Sequence, residues 1–177
     1  WNRAPSTWVD VAGAVTHCSK QKRRCAMIDH EEPWHSSFTV TPWTTEGIAT
    51  IEATGGHVHA ALEAGLGAVL ELALESAAVP LGSPHSAPVR GEGDDVAELF
   101  AEMVEDLLDQ IAYFGNGLHD VVVDGVLRRD GGGYVAWGYA VGTYEATAAV
   151  KPPELIGHPT ATETKDGIVI RATFRRA

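Results

Sequence analysis

IATIEATGGHVHAALEAGLGAVLELA, Ile48 to Ala73, changes its period halfway along. The first part is rich in β-branched residues and reads as a strand ending in Gly55-Gly56. Val58, Leu62, Leu66, Val69, Leu70 and Ala73 then recur at helical spacing. Gly65 and Gly67 each weaken such a helix by roughly 1 kcal/mol where exposed. Their place in the apolar run points instead to close packing against a sheet. One carboxylate, Glu46, stands just upstream in TTEG, either as a site residue or as a solvated loop acid.

Working outward, FTVTPW before this stretch is further strand material. After it, Pro80, Gly82, Pro84 and Pro88 mark a loop, with a short strand around Ala87–Gly91. Asp95 and Glu98 then form a capping-box start. Val96, Leu99, Phe100, Met103, Val104, Leu107, Leu108 and Ile111 make the apolar stripe of a second helix, closed by Gly115 and Gly117. The tail is strand-rich, and Lys165-Asp166-Gly167 between two alternating runs reads as a hairpin. The order strand, helix, strand, helix, then several strands predicts an α+β domain, two helices packed on a largely antiparallel β-sheet.

The chain has 177 residues, 45% of them apolar, enough for one domain with a real core. Its formal charge of −11 argues against a nucleic-acid surface and allows a basic protein partner. The most apolar stretch is broken by Glu63, Glu71 and Glu75, so no membrane span is expected. No lipidation signal is present. Cys18 and Cys25 are the two cysteines, so disulfides do not hold the core, and a cytoplasmic setting is the default. Residues 1–26 carry Arg3, Lys20, Lys22, Arg23 and Arg24 against Asp10, leaving −15 on the remainder. They read as upstream or fragmentary translation before a start at Met27, or as a short basic arm. Residues 1–35 are accordingly set apart as an N-terminal extension, and 36–177 as the folded domain.

Several constellations invite a site. His57 and His59 would share a face on a strand and diverge on a helix; at a helix start they read as solvated polar residues. His30 and His35 beside Glu31 and Glu32 form a loose cluster. Glu98, Glu102, Glu105 and Asp109 line one helix face with no Lys or Arg to relieve them, which allows a docking role beside that of a solvated face. Trp137, Tyr139 and Tyr144 are expected to pack one sheet face. Gly131-Gly132-Gly133 lacks the Lys-Ser/Thr of a phosphate loop and reads as a hairpin tip. No nucleophile elbow appears.

The joint order of these segments resembles the archease family, over about Phe38 to Arg176. IEATGGHVHAALEAGLGAVLELA resembles the family's first strand, Gly turn and first helix. DDVAELFAEMVEDLLDQIAYF resembles its second helix, and PPELIGHPTATETKDGIVIRATFRR its closing hairpin with a His before it. The resemblance implies a strand-helix-strand-strand plan. It also implies an accessory role, not itself enzymatic, in promoting guanylylation of an RtcB-type RNA ligase during tRNA splicing or RNA repair. The ligase would be the partner, without direct nucleic-acid or membrane binding. A divalent, calcium-like metal is implied as cofactor.

The chain departs from the family where that metal is held. Ile48 falls in the position of the family's first-strand Asp, with Glu46 near it under a shifted register. Arg175 falls in the position of the second essential Asp. His158 alone stands where the family has it, without the preceding Thr and aromatic residue. A guanidinium about 4 Å from a cation, at an effective dielectric near 20, repels it by roughly 4 kcal/mol per unit charge. Glu46, His158 and Arg175 are therefore candidates for contact with a partner, Glu46 also as a weak metal ligand. The alternative is a divergent relative that has lost the metal site and serves as a protein-interaction module, through the acidic helix face or Arg171, Arg175 and Arg176. A metal-dependent hydrolase built on His57 and His59 lacks a third ligand at a convincing spacing.

Overall fold

The computed structural model describes residues 35–74, 82–144 and 148–177; the readings placed on Cys18, Cys25, Met27 and His30 fall outside them. Its elements are β1 (Ser36–Val40), β2 (Ile48–Gly55), α1 (Val58–Leu74), β3 (Pro84–Gly93) and α2 (Val96–Phe114). A single 3₁₀ turn at Gly115–Gly117 leads to β4 (Leu118–Arg128), β5 (Tyr134–Thr143), β6 (Glu154–Thr164) and β7 (Gly167–Arg175). The fold is α+β, as the periodicities predict. The strands form two sheets, ordered β1-β2-β7-β6 and β3-β5-β4, and every pairing is antiparallel.

The chain contains the same unit twice. In one, β2 leads into α1, and the β6–β7 hairpin returns with β7 beside β2. In the other, β3 leads into α2, and the β4–β5 hairpin returns with β5 beside β3. The second unit sits in the chain between α1 and β6 of the first. Residue numbers differ by a constant 38 from strand through helix, as in Gly55 and Gly93, Val58 and Val96, Leu70 and Leu108. Each helix packs on its own first strand and reaches a hairpin strand of the other unit, α1 to β4 and α2 to β6.

Two glycine pairs show why the units match. A Cβ on Gly55 would run into the backbone of Ala61, and one on Gly93 into the backbone of Leu99, six residues on in each case. Strand and helix approach too closely there for any side chain. Across the sheet, Gly167 (φ 127) and Gly133 (φ 78) open the returning strands against the carbonyls of Gly55 and Gly93.

The helix starts differ chemically at the same position. Asp95 caps α2: Ala97 and Glu98 donate their N–H groups to its Oδ1 at 2.8 and 2.9 Å, while Asp94 N–H donates to Glu98 Oε2 at 2.7 Å. In α1 the equivalent residue is His57, whose Nδ1 accepts from Ala60 N–H at 3.2 Å. Phe100, Phe174, Ile51, Leu62, Leu66, Leu99 and Met103 form the centre of the core, fully buried. Gly65, expected to face a sheet, instead admits the other helix, because a Cβ there would sit 2.6 Å from the Phe100 ring.

Candidate functional site

Ile48 and Arg175 are partners across the β2–β7 pair, and Glu154 of β6 faces Arg175 from the other side. The row Ile48–Arg175–Glu154 therefore crosses three strands. Side chains at 49, 51 and 53 and at 170, 172 and 174 point into the core, so this row lies on the opposite face. Arg175 Nη1 is 3.9 Å from Glu154 Oε2, an exposed ion pair worth at most about 1 kcal/mol. The neighbouring rows are also polar: Arg171 Nε donates to Glu52 Oε2 at 2.6 Å. A hard divalent cation needs converging oxygens. An isoleucine, a guanidinium and one carboxylate already paired with it do not fit such an ion.

Glu46 lies exposed in the turn joining β1 to β2, where Gly47 N–H donates to Thr44 O and Thr44 N–H to Ile48 O. Gly47 O accepts from Arg176 N–H at 2.8 Å, and the Arg176 guanidinium lies 5.1 Å from the Trp43 ring centre. His158 sits, exposed, in the irregular stretch of β6 between Ile156 and Thr160. Two strand spacings, roughly 10 Å, separate β2 from β6, and the register adds about 10 Å or more along the strands. Glu46 and His158 are thus not brought together. Metal–ligand bonds of about 2.0–2.6 Å cannot bridge that gap.

His57 and His59 are occupied in the fold. His59 Nε2 donates to Val123 O at 2.6 Å, and Glu63, one turn later, accepts from Val123 N–H at 3.1 Å. Helix α1 thereby holds both backbone groups of Val123 at the point where β4 bulges around Asp124. Burial, and then the neighbouring His59, hold the His57 ring below its usual pKa. Among the described residues, no group of three or more His, Cys, Asp or Glu is placed to hold a metal ion.

The acidic face of α2 has a definite setting. Glu102, Glu105, Asp106 and Asp109 form one wall of an open groove of about 820 Å³; the other wall is edge strand β3 with Pro88, Arg90 and Glu92, and beyond it Trp137 of β5. Glu98 is drawn instead into the helix cap. Arg90 N–H donates to Asp106 Oδ2 at 2.8 Å, joining the helix to the strand edge. Among the described residues no charged Lys or Arg side-chain nitrogen lies within 4.0 Å of these four carboxylates. Trp137 and Tyr139 share the outer face of the second sheet at 37% and 38% exposure. The Trp137 indole lies over Gly125, where a Cβ would collide with it. Tyr144 belongs elsewhere, its ring 4.2 Å from that of His85.

No family model matches this chain, and no curated protein matches it. Among solved structures, the solution structure of protein 1598 of Methanobacterium thermoautotrophicum is similar, with a TM-score of 0.57 at 16% identity, covering 79% of this chain and 99% of that one. The likeness is one of fold.

Proposed function

We propose that this chain is an archease-like accessory protein that works by binding a protein partner, without the paired-acid metal site of the archease family. The observation that carries the reading is the register of Ile48 opposite Arg175. The resemblance places the family's two acids at these positions. Two ligands of one ion must face each other, and the two positions do. This register supports the reading, and the residues standing there are unsuited to a cation. The two strand–helix–hairpin units are consistent with the strand-helix-strand-strand plan that the resemblance implies.

The first partner to test is an RtcB-type RNA ligase. The ligase is incubated with GTP and its metal, with and without this protein, and guanylylation and complex formation are followed. The expected result is a complex and faster guanylylation, unaffected by Glu46→Gln because that acid lies in an exposed turn away from His158. Absence of both complex and acceleration would remove the ligase. A second reading, an interaction module for another protein, would then rest on the acidic face of α2, whose carboxylates wall an open groove.

A further inference from the structure

The two units also differ at the outer edge of their first strands. In the first, β1 runs antiparallel along the edge of β2, with Phe38 against Gly67 of α1. Thr50 turns its backbone to β1: its carbonyl accepts from Thr41 N–H at 2.9 Å, and its own N–H donates to Thr41 Oγ1 at 2.8 Å. In the second unit, among the described residues, β3 pairs only with β5, and the groove lies along the edge where a counterpart of β1 would run. Ala64, Gly67 and Ala68, the small residues of α1 at this slot, correspond to Glu102, Glu105 and Asp106 of α2. Thr50 corresponds to Pro88, which has no N–H, and Glu52 to Arg90, whose N–H is taken by Asp106. The Asp106 carboxylate thus occupies the place of a missing strand's carbonyl.

We propose that this groove accepts an extended basic segment of a partner protein, laid antiparallel along β3 as β1 lies along β2. Main-chain bonds to a strand edge supply affinity, and side chains at alternate positions supply selectivity. One face of such a segment turns toward α2. Lys or Arg at those positions would meet Glu102, Glu105 and Asp109. The same carboxylates repel phosphate, which disfavours nucleic acid. The inference does not depend on the ligase, because it concerns the form and charge of the bound segment whatever protein carries it.

The test is an NMR titration of the full chain with a peptide of about nine residues alternating Lys and Thr, beside the same peptide with Glu for Lys. The expected result is saturable shifts confined to residues 88–93, residues 102–109 and the Trp137 indole N–H, with the Arg90 amide among the most displaced. Affinity should fall at least about tenfold in Glu102→Lys/Glu105→Lys and stay unchanged in Glu71→Lys on α1. An unchanged spectrum away from the groove shows that each variant is folded. Diffuse, unsaturated shifts, equal binding of the Glu peptide, or full affinity in the double variant would overturn the proposal. A dimer that fills the groove without peptide and is lost in that variant would also overturn it, assigning the slot to a second copy.

Discussion

Asp106 accepts the backbone N–H of Arg90 at 2.8 Å, so a side chain of α2 satisfies a donor on the open edge of β3. Edge strands invite unwanted pairing, and natural sheets blunt them. Pro88, two residues before Arg90, lacks a donor and serves the same end. The groove is thereby both guarded and adaptable, since a carboxylate can swing away to admit a fourth strand.

Asp106→Ala frees the Arg90 donor and removes one carboxylate from an acidic wall. Loss of one hydrogen bond costs about 1 kcal/mol, part of it offset by relief of repulsion among the remaining acids. Hydrogen exchange at the Arg90 amide should quicken clearly while that of β2 stays unchanged. Equal exchange rates at Arg90 in the parent and the variant would mean that the Asp106 contact does not protect the edge.

Gly55→Ala and Gly93→Ala each force a methyl group into the backbone of the following helix. Each should cost about 1–3 kcal/mol, the usual range for overpacking. Gly56→Ala and Gly131→Ala, with nothing within 4 Å of the added carbon, should be close to neutral at the same denaturant midpoint. Urea unfolding of the four variants checks both halves of this: equal behaviour of all four would refute the close strand–helix approach, and a large difference between Gly55→Ala and Gly93→Ala would break the claimed equivalence of the two units.

The α+β class and both helices are legible in the sequence because their apolar stripes are long and regular. The duplication is not. Between Ala49–Ala73 and Ala87–Ile111 the identities are Ala49 with Ala87, Gly55 with Gly93, Val58 with Val96, and Leu70 with Leu108. Burial repeats where identity does not: Ile51 matches Val89, and Leu62 matches Phe100. Strand β3 is longer than the short run expected around Ala87–Gly91, because Pro88 sits on an edge that tolerates it and Gly91 and Gly93 pack against α2. The acidic stripe is visible in sequence, but its groove is not, since β3 and α2 are brought side by side only by the fold. Trp137 and Tyr139 do share a face, the solvent side, while Tyr144 joins His85 and Phe114.

Replacing both Ile48 and Arg175 by Asp would place two carboxylates beside Glu154 on one row of the sheet. Three carboxylates on adjacent strands approach what a calcium ion requires. The parent should show no thermal shift with millimolar Ca²⁺. The double variant should be destabilised without the ion by mutual repulsion and should recover several degrees of Tm with it, since ligand at about 100 times its Kd adds roughly 2.7 kcal/mol. A double variant whose Tm ignores Ca²⁺ would show that the row lacks the spacing for an ion even with its acids supplied.

His57 links the start of α1 to pH. Its Nδ1 can accept Ala60 N–H only while that nitrogen carries no proton. Burial, then the nearby His59, lower its folded pKa below the ordinary value of 6.5. A lowered folded value means that the unfolded chain binds more protons in this window, so stability rises with pH there. The contribution of His57 is fully present above about 6.5, the unfolded value, and is lost as pH falls through the folded one. His57→Asn supplies a cap that does not titrate. Urea unfolding between about pH 5 and pH 8 should therefore show a shallower fall toward acid in the variant than in the parent. Parallel curves would mean that the proton taken up on unfolding belongs to another group.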